Sequence, residues 1–171
     1  TWVTQRMMGE VKIPLITTNR INDPQVAEDV IARGDADMVS MARPFLADAD
    51  FVNKAAAGRA DAINTCIACN QACIGHVSLG TPISCIQHPE TGRELTYGTR
   101  VPAQKPLRVI VAGGGPAGMK AAAVAAERGH SVTLYEAASQ LGGQALLAGL
   151  LPERAEFGGI ITNLAHEMTL A

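Results

Sequence analysis

The sequence predicts an α/β fold: two β/α stretches with an irregular, cysteine-bearing segment between them. Three observations carry this. Residues up to about 59 alternate short β-rich runs with helix-forming stretches. Residues 60–105 hold every cysteine and show no sustained hydrophobic period. From Pro106 onward the chain reads strand, glycine turn, helix, strand. A β–α–β order implies parallel strands joined by helical crossovers.

The elements follow from local chemistry. Ile13 to Thr17 is a short β-rich run. Asp23-Pro24 is a helix start, because Asp caps free N–H groups and Pro suits the first helical position. That helix runs to Arg33, and Gly34 supplies the left-handed stop. Met38 to Met41 is the next buried strand, and a further helix follows Ala49 and ends near Gly58. In the last third, Leu107 to Ala112 is a strand, Pro116 to Arg128 an Ala-rich helix stopped by Gly129, and Ser131 to Tyr135 a second strand. Thr1 is not an initiator Met, and Ile160 to Ala171 reads as a helix without a capping Gly or Pro. Both ends are therefore expected to be cuts in a larger protein.

Composition narrows the function. The 171 residues are 47% hydrophobic and 18% charged, with net charge −2, as in a globular domain. No basic stripe points to nucleic acid as a partner. No apolar run approaches the ~20 residues that span a bilayer, so no membrane association is expected. The first residues lack the basic-then-apolar order of a secretory signal, which makes the cytoplasm the expected compartment. Thiols stay reduced there, so four cysteines read as metal ligands before disulfides.

Those cysteines are Cys66, Cys69, Cys73 and Cys85, spaced C-x2-C-x3-C-x11-C. Three lie on a tight loop and one returns from further on, which suits the corners of a cubane iron–sulfur cluster. A structural zinc site more often shows two C-x2-C knuckles, and the wide gap from Cys73 to Cys85 does not fit that pattern. Zinc and disulfides stay as alternatives. His76 and His88, close by in sequence, read as ordinary loop histidines.

Gly113-Gly114-Gly115-Pro116-Ala117-Gly118 satisfies G-x-G-x-x-G, after an apolar strand and at the start of a helix. In that context the glycines serve a tight turn at Gly113, close approach to a pyrophosphate at Gly115, and helix–strand packing at Gly118. The helix N-terminus offers N–H groups and a positive dipole end to phosphates. Glu136, 18 residues beyond Gly118 at the end of the next strand, is placed to accept from both ribose hydroxyls. Its charge would repel a 2′-phosphate, so FAD or NAD is expected here rather than NADP. Leu141-Gly142-Gly143-Gln144 reads as a second glycine turn suited to FAD, with a plain loop as the alternative. Near the start, Arg20 and Arg43 each follow a strand. In a β/α barrel such positions grip phosphate, although surface arginines are also common.

Taken together, IPLITTNRI, DADMVSMARPFLADADF, CIACNQAC with SCIQHP, and GGGPAG with YEAASQLGGQ resemble the iron–sulfur branch of the old yellow enzyme (NADH:flavin oxidoreductase) family. That branch includes 2,4-dienoyl-CoA reductase, trimethylamine dehydrogenase and histamine dehydrogenase. The resemblance implies that residues 1–59 end an FMN-binding TIM barrel, with Arg20, Ala42 and Arg43 at FMN. It implies a 4Fe–4S segment over residues 60–105, ligated by Cys66, Cys69, Cys73 and Cys85. Residues 106–171 would begin a Rossmann-like FAD domain, in which Ala117, Glu136, Gln144 and Arg154 match FAD contacts. NAD(P)H would bind in a further domain. The expected function is a fragment of an oxidoreductase that passes electrons between FAD and FMN through the cluster. CIACNQAC resembles the reductase. ISCIQHPETGREL resembles the amine dehydrogenases and N-demethylases. The small-molecule substrate is accordingly an enoyl-CoA or a methylated amine. No residue of this stretch matches a catalytic acid or base. A non-catalytic electron-transfer module and a zinc-stapled domain are the remaining alternatives.

Overall fold

The computed structural model describes residues 1–171 and divides them into two units, Thr1–Cys66 and Ile67–Ala171. In the first unit, helix α1 (Trp2–Met7) precedes strand β1 (Ile16–Thr17), helix α2 (Pro24–Ala32), strand β2 (Met38–Val39) and helices α3 (Arg43–Ala47) and α4 (Phe51–Ala56). A 3-10 turn follows at Ala60–Ala62. The strands pair in parallel, Ile16 opposite Met38 and Thr17 opposite Val39, around the crossover helix α2.

Helix α2 starts as the sequence predicts. The Asp23 carboxylate accepts from the backbone N–H groups of Gln25 (2.8 Å) and Val26 (3.2 Å), and Pro24 is the first helical residue. Gly34, at φ +72°, ends it. Val30 on this helix is buried, as are Ile21, Ala36, Ala47, Phe51 and Ile63. Phe45 meets Phe51 edge to face, with ring centroids 5.9 Å apart. The buried Asp48 carboxylate is satisfied by Lys54 Nζ (2.6 Å) and by the backbone N–H groups of Asn64 (2.8 Å) and Asp50 (3.0 Å). This ties the chain beyond α4 back to the end of α3.

Two expectations are corrected here. The strands are shorter than the β-rich runs, and Met38 is 58% exposed rather than buried. A pair of only two strands has a face that no second layer covers. Helix α3 was not anticipated. Pro44 at its second position needs no N–H partner there, so it permits a helical turn instead of ending the strand in a loop.

The second unit has short helices α5 (Ile74–Ser78) and α6 (Glu94–Tyr97). Then come strand β3 (Arg108–Ala112), helix α7 (Pro116–Glu127), strand β4 (Ser131–Tyr135), helix α8 (Gln144–Gly149), a 3-10 turn at Ala155–Gly158, and helix α9 (Gly159–Leu170). Strands β3 and β4 are parallel and in register from Arg108–Ser131 to Ala112–Tyr135. The predicted strand–turn–helix–strand order is present, with its boundaries moved by at most one residue.

The core of this unit is Met119 of α7 with Ile160 and Leu164 of α9, and Ile67 joins it from the cysteine segment. The cysteine segment, which shows no hydrophobic period of its own, is thus anchored on this core. Its first residue beyond Cys66 is part of that core. The remaining buried residues of the segment in this unit are polar: Ser84, Gln87, Glu90 and Thr91. No helix is long and apolar enough to cross a membrane.

Replacing Asp23 with Ala removes both cap bonds of α2. It should lower the stability of the first unit by about 1 kcal/mol in a denaturant titration. An unchanged midpoint would show that the cap carries no weight.

Candidate functional site

The glycine loop between β3 and α7 has the stereochemistry a phosphate cradle needs. A Cβ at Gly118 would sit 1.9 Å from the carbonyl oxygen of Gly113, so only glycine allows the helix to approach its own loop. A Cβ at Gly115 would meet nothing within 4 Å, which leaves open space over the backbone at the start of α7. The second glycine turn lies directly against the first. Gly142 N–H donates to the Gly114 carbonyl (2.8 Å), and Gly143 comes close to Gly115. Gly142 takes φ +118°, and a side chain there would strike Ile161. The turn then opens α8 at Gln144.

Glu136 sits where β4 ends, and its carboxylate bridges the loop. It accepts from Gly114 N–H at 2.6 Å and from Ala138 N–H at 2.8 Å. The Ala138 and Gly114 bonds hold its carboxyl below the ordinary glutamate range against a small opposing effect of burial. An ionised acceptor is thereby presented at the lip of the glycine loop. Ala117 and Gln144, at the starts of α7 and α8, are both exposed. Arg154 is exposed further along, its guanidinium 5.7 Å from the centre of the Phe157 ring.

A cavity of about 580 Å3 opens beside this loop. Pro116, Ala117 and Lys120 of α7 and Gln144 of α8 line one side, and Cys69, Gln71 and Ile86 of the cysteine segment line another. Lys120 is paired with Glu167 of α9 at 2.6 Å.

All four cysteines are free thiols and half-buried. Cys66 closes the first unit, where its carbonyl accepts from Asn22 Nδ2 at 2.8 Å. Cys69, Cys73 and Cys85 lie in the second. Ala68 and Asn70 take positive φ, +53° and +58°, which curls the chain tightly around Cys69. The Ser84 N–H donates to the Ala72 carbonyl (2.8 Å), bringing the neighbours of Cys85 and Cys73 together. Burial pushes the Cys69 thiol up, and the nearby Cys73 and Cys85 push the same way against the backbone N–H of Gln71. Cys73 and Cys85 therefore both lie within electrostatic reach of Cys69. No three His, Cys, Asp or Glu side chains close into a set for one metal ion.

In the first unit, Arg20 follows β1 and Arg43 follows β2, so the parallel pairing puts both just past the same ends of the strands. Asn19 and Arg20 both take positive φ, +84° and +54°, a rare pair for residues with side chains. Ala42 caps α3, and Arg43 is its first residue. Lys120, Gln71 and Ile86 were not singled out from the sequence. They become visible only once helix and loop share a wall.

These features define an α/β protein with a glycine loop of the dinucleotide-binding pattern and a thiol-bearing segment beside it. The chain belongs to the NADH:flavin oxidoreductase / NADH oxidase family, which residues 3–62 match, and its residues 108–168 match FAD dependent oxidoreductases. It is 43% identical over 156 residues to the metal reductase of Desulforamulus reducens, covering 91% of this chain and 23% of that one. Among solved structures it is similar to 2-naphthoyl-CoA reductase in complex with 2-naphthoyl-CoA: TM-score 0.88, 34% identity, 96% of this chain and 25% of that one. It is also similar to the 6-hydroxypseudooxynicotine amine oxidase of Pseudomonas geniculata N1: TM-score 0.89, 32% identity, 96% and 25%. The chain thus spans about a quarter of the length of these relatives.

Because the folded Glu136 carboxyl is held low, the stabilisation it gives the loop is present above the ordinary glutamate value and is lost as pH falls through the folded one. The Gly114 amide resonance should therefore titrate with a midpoint below ~4.3, the unperturbed value. A midpoint at or above that value would mean the bond does not form in solution.

Proposed function

We propose that this chain supplies the cofactor-bridging part of a larger flavin-dependent oxidoreductase. On this reading residues 1–59 end an FMN-binding TIM barrel, residues 60–105 hold a 4Fe–4S cluster, and residues 106–171 begin a Rossmann-like FAD domain. The observation that carries it is the shared cavity, in which Cys69 and Gln71 face Ala117 and Gln144. A thiol loop that lines the same space as a nucleotide cradle is placed to exchange electrons with what the cradle holds.

Arg20 and Arg43, with the backbone at Ala42, would grip the FMN phosphate, as guanidinium forks match its oxygens. Cys66, Cys69, Cys73 and Cys85 would ligate the cluster as thiolates. The backbone at Gly113 and Gly115 would approach the FAD pyrophosphate, Gly118 keeping the helix close. Ala117 and Gln144 would line the cofactor's path. Glu136 would exchange its two backbone donors for ribose hydroxyls, and Arg154 would add a cation at the rim. When bound, the cluster would pass single electrons between the two flavins.

The reductive direction is the one we favour: electrons from NAD(P)H, bound elsewhere in the protein, leave by way of FMN to an acceptor such as an enoyl-CoA. CIACNQAC, and the similarity to a metal reductase and to a reductase of a CoA ester, support it. The second reading is oxidation of a methylated amine. ISCIQHPETGREL and the similarity to an amine oxidase favour that one. The cytoplasm suits either, since thiolate ligands need reducing surroundings.

The full-length protein, purified without oxygen, should contain iron, acid-labile sulfide, FAD and FMN. Finding neither iron nor sulfide would end the redox reading and leave a zinc-stapled domain. Cys69→Ser should abolish cluster assembly, with brown colour and iron lost together. Glu136→Arg should weaken FAD retention while the iron content stays, because it sets a cation where the ribose needs an acceptor. Flavin content unchanged by that substitution would remove Glu136 from the site.

A further inference from the structure

The stretch His88-Pro89-Glu90-Thr91-Gly92-Arg93-Glu94, just after Cys85, has no part in ligation or nucleotide binding. It nevertheless contains the most buried charge of the cysteine segment. Glu90 is 6% exposed, and one of its oxygens, Oε2, is buried without a hydrogen-bond donor. Oε2 lies 3.5 Å from His88 Nε2, and the His88 ring is itself steered by Thr91 Oγ1 on Nδ1 (3.1 Å). The other oxygen pairs with the Arg100 guanidinium. An ionised carboxylate is costly to bury unless a partner holds it. Burial works to raise the Glu90 carboxyl. Its own backbone N–H, the Arg100 bond and charge, and His88 together bring it below the usual range.

Arg100 does not stop at Glu90. Its Nε donates to Glu127 Oε2 at 2.7 Å, at the last turn of α7. A carboxylate at a helix C-terminus faces the negative end of the dipole, so it is disfavoured unless a cation offsets it. Arg100 is that cation. Arg128 fastens the same place by donating from Nε to the Val101 carbonyl (3.0 Å), and its own carbonyl accepts from Ala103 N–H (2.8 Å). A second tether runs from Asn163 Nδ2 of α9 to Gln87 Oε1 at 2.7 Å, with Gln87 only 2% exposed. Between the tethers the loop closes on itself. Gly92 at φ +78° lies so near Ile83 that a Cβ would fall 2.2 Å from its carbonyl oxygen, and Arg93 N–H donates to the Glu90 carbonyl (2.7 Å). Cys85 is carried inside this closed loop.

We propose that Arg100 is a positioning residue, a clasp between Glu90 and Glu127 that holds the Cys85 loop onto the dinucleotide helix and so retains the fourth thiolate of the cluster. Around Cys69 and Cys73 the chain is curled by its own short turns, at Ala68, Asn70 and Gly75. Cys85 arrives across eleven intervening residues and shares its anchoring between the Ser84–Ala72 bond, the Gln87–Asn163 tether and this clasp. The inference rests on the cluster reading above, and the two can fail separately.

The experiment uses the full-length holoprotein and follows iron release to excess EDTA, with FAD content and thermal midpoint measured alongside. Arg100→Met leaves Glu90 buried without its cation, and iron release should accelerate at least about tenfold. Glu127→Gln spares the Glu90–Arg100 pair and cuts only the half-exposed link to α7. Release should then accelerate about two- to threefold, the size of a partly solvated pair. FAD content should stay close to wild type in both variants, the thermal midpoint should hold in Glu127→Gln and fall in Arg100→Met, and Arg100→Lys should recover part of the Met defect. Wild-type release rates in Arg100→Met and Glu127→Gln would overturn the clasp. Iron and FAD lost in step would overturn it too, because they would mark general unfolding rather than local opening. If Arg100→Met does not fold, Glu127→Gln decides alone. Iron missing from the wild-type holoprotein would instead sink the cluster reading.

Discussion

Everything about the second unit rests on one apolar contact: Ile67, one residue past Cys66, packed against Met119, Ile160 and Leu164. Met119 is completely buried, and it lies one turn into the helix whose start would meet phosphates. Burying a side chain the size of Ile67 contributes about 1.5–3 kcal/mol, more than any exposed polar contact in the loop can offer. That contact anchors an otherwise irregular segment on the nucleotide fold. Cys69 follows two residues later, packed on the edge of the same cluster.

Steric exclusion does the next share of the work. At Gly118 a side chain would strike backbone, and at Gly142 the positive φ of +118° strains any side chain while Ile161 crowds it. One lets α7 start against its own loop, and the other lets the second glycine turn lie on the first. The resulting backbone surface presents N–H groups without side chains over them. Glu136, held ionised by the N–H of Gly114 and by that of Ala138 just past β4, marks the rim. The loop is thus organised before any ligand arrives, which lowers the ordering cost of binding.

Much of this was legible in the residues. Asp23-Pro24 and Gly34 bracket α2 because capping and left-handed stops are local effects that need no partner. The strand, glycine turn, helix and strand from Arg108 to Tyr135 were readable for the same reason, since the period changes where the glycines fall. Helix α3 was not. Pro44 looks like the end of a strand until the chain around it is seen to turn. The exposure of Met38 was not readable either. An apolar run says that a strand prefers burial, while the neighbouring layers decide whether burial is achieved.

The cysteine spacing, the glycine fingerprint and the acid at the end of β4 were determined by sequence alone, because each is a pattern of residue types at fixed offsets along one chain. Only the tertiary structure decided that Gln71, Ile86 and Lys120 share a cavity with the nucleotide loop, and that Glu90, Arg100 and Glu127 join in one ion-paired line. Those relations link residues up to tens of positions apart. They depend on where loops close in space, and no local propensity encodes that.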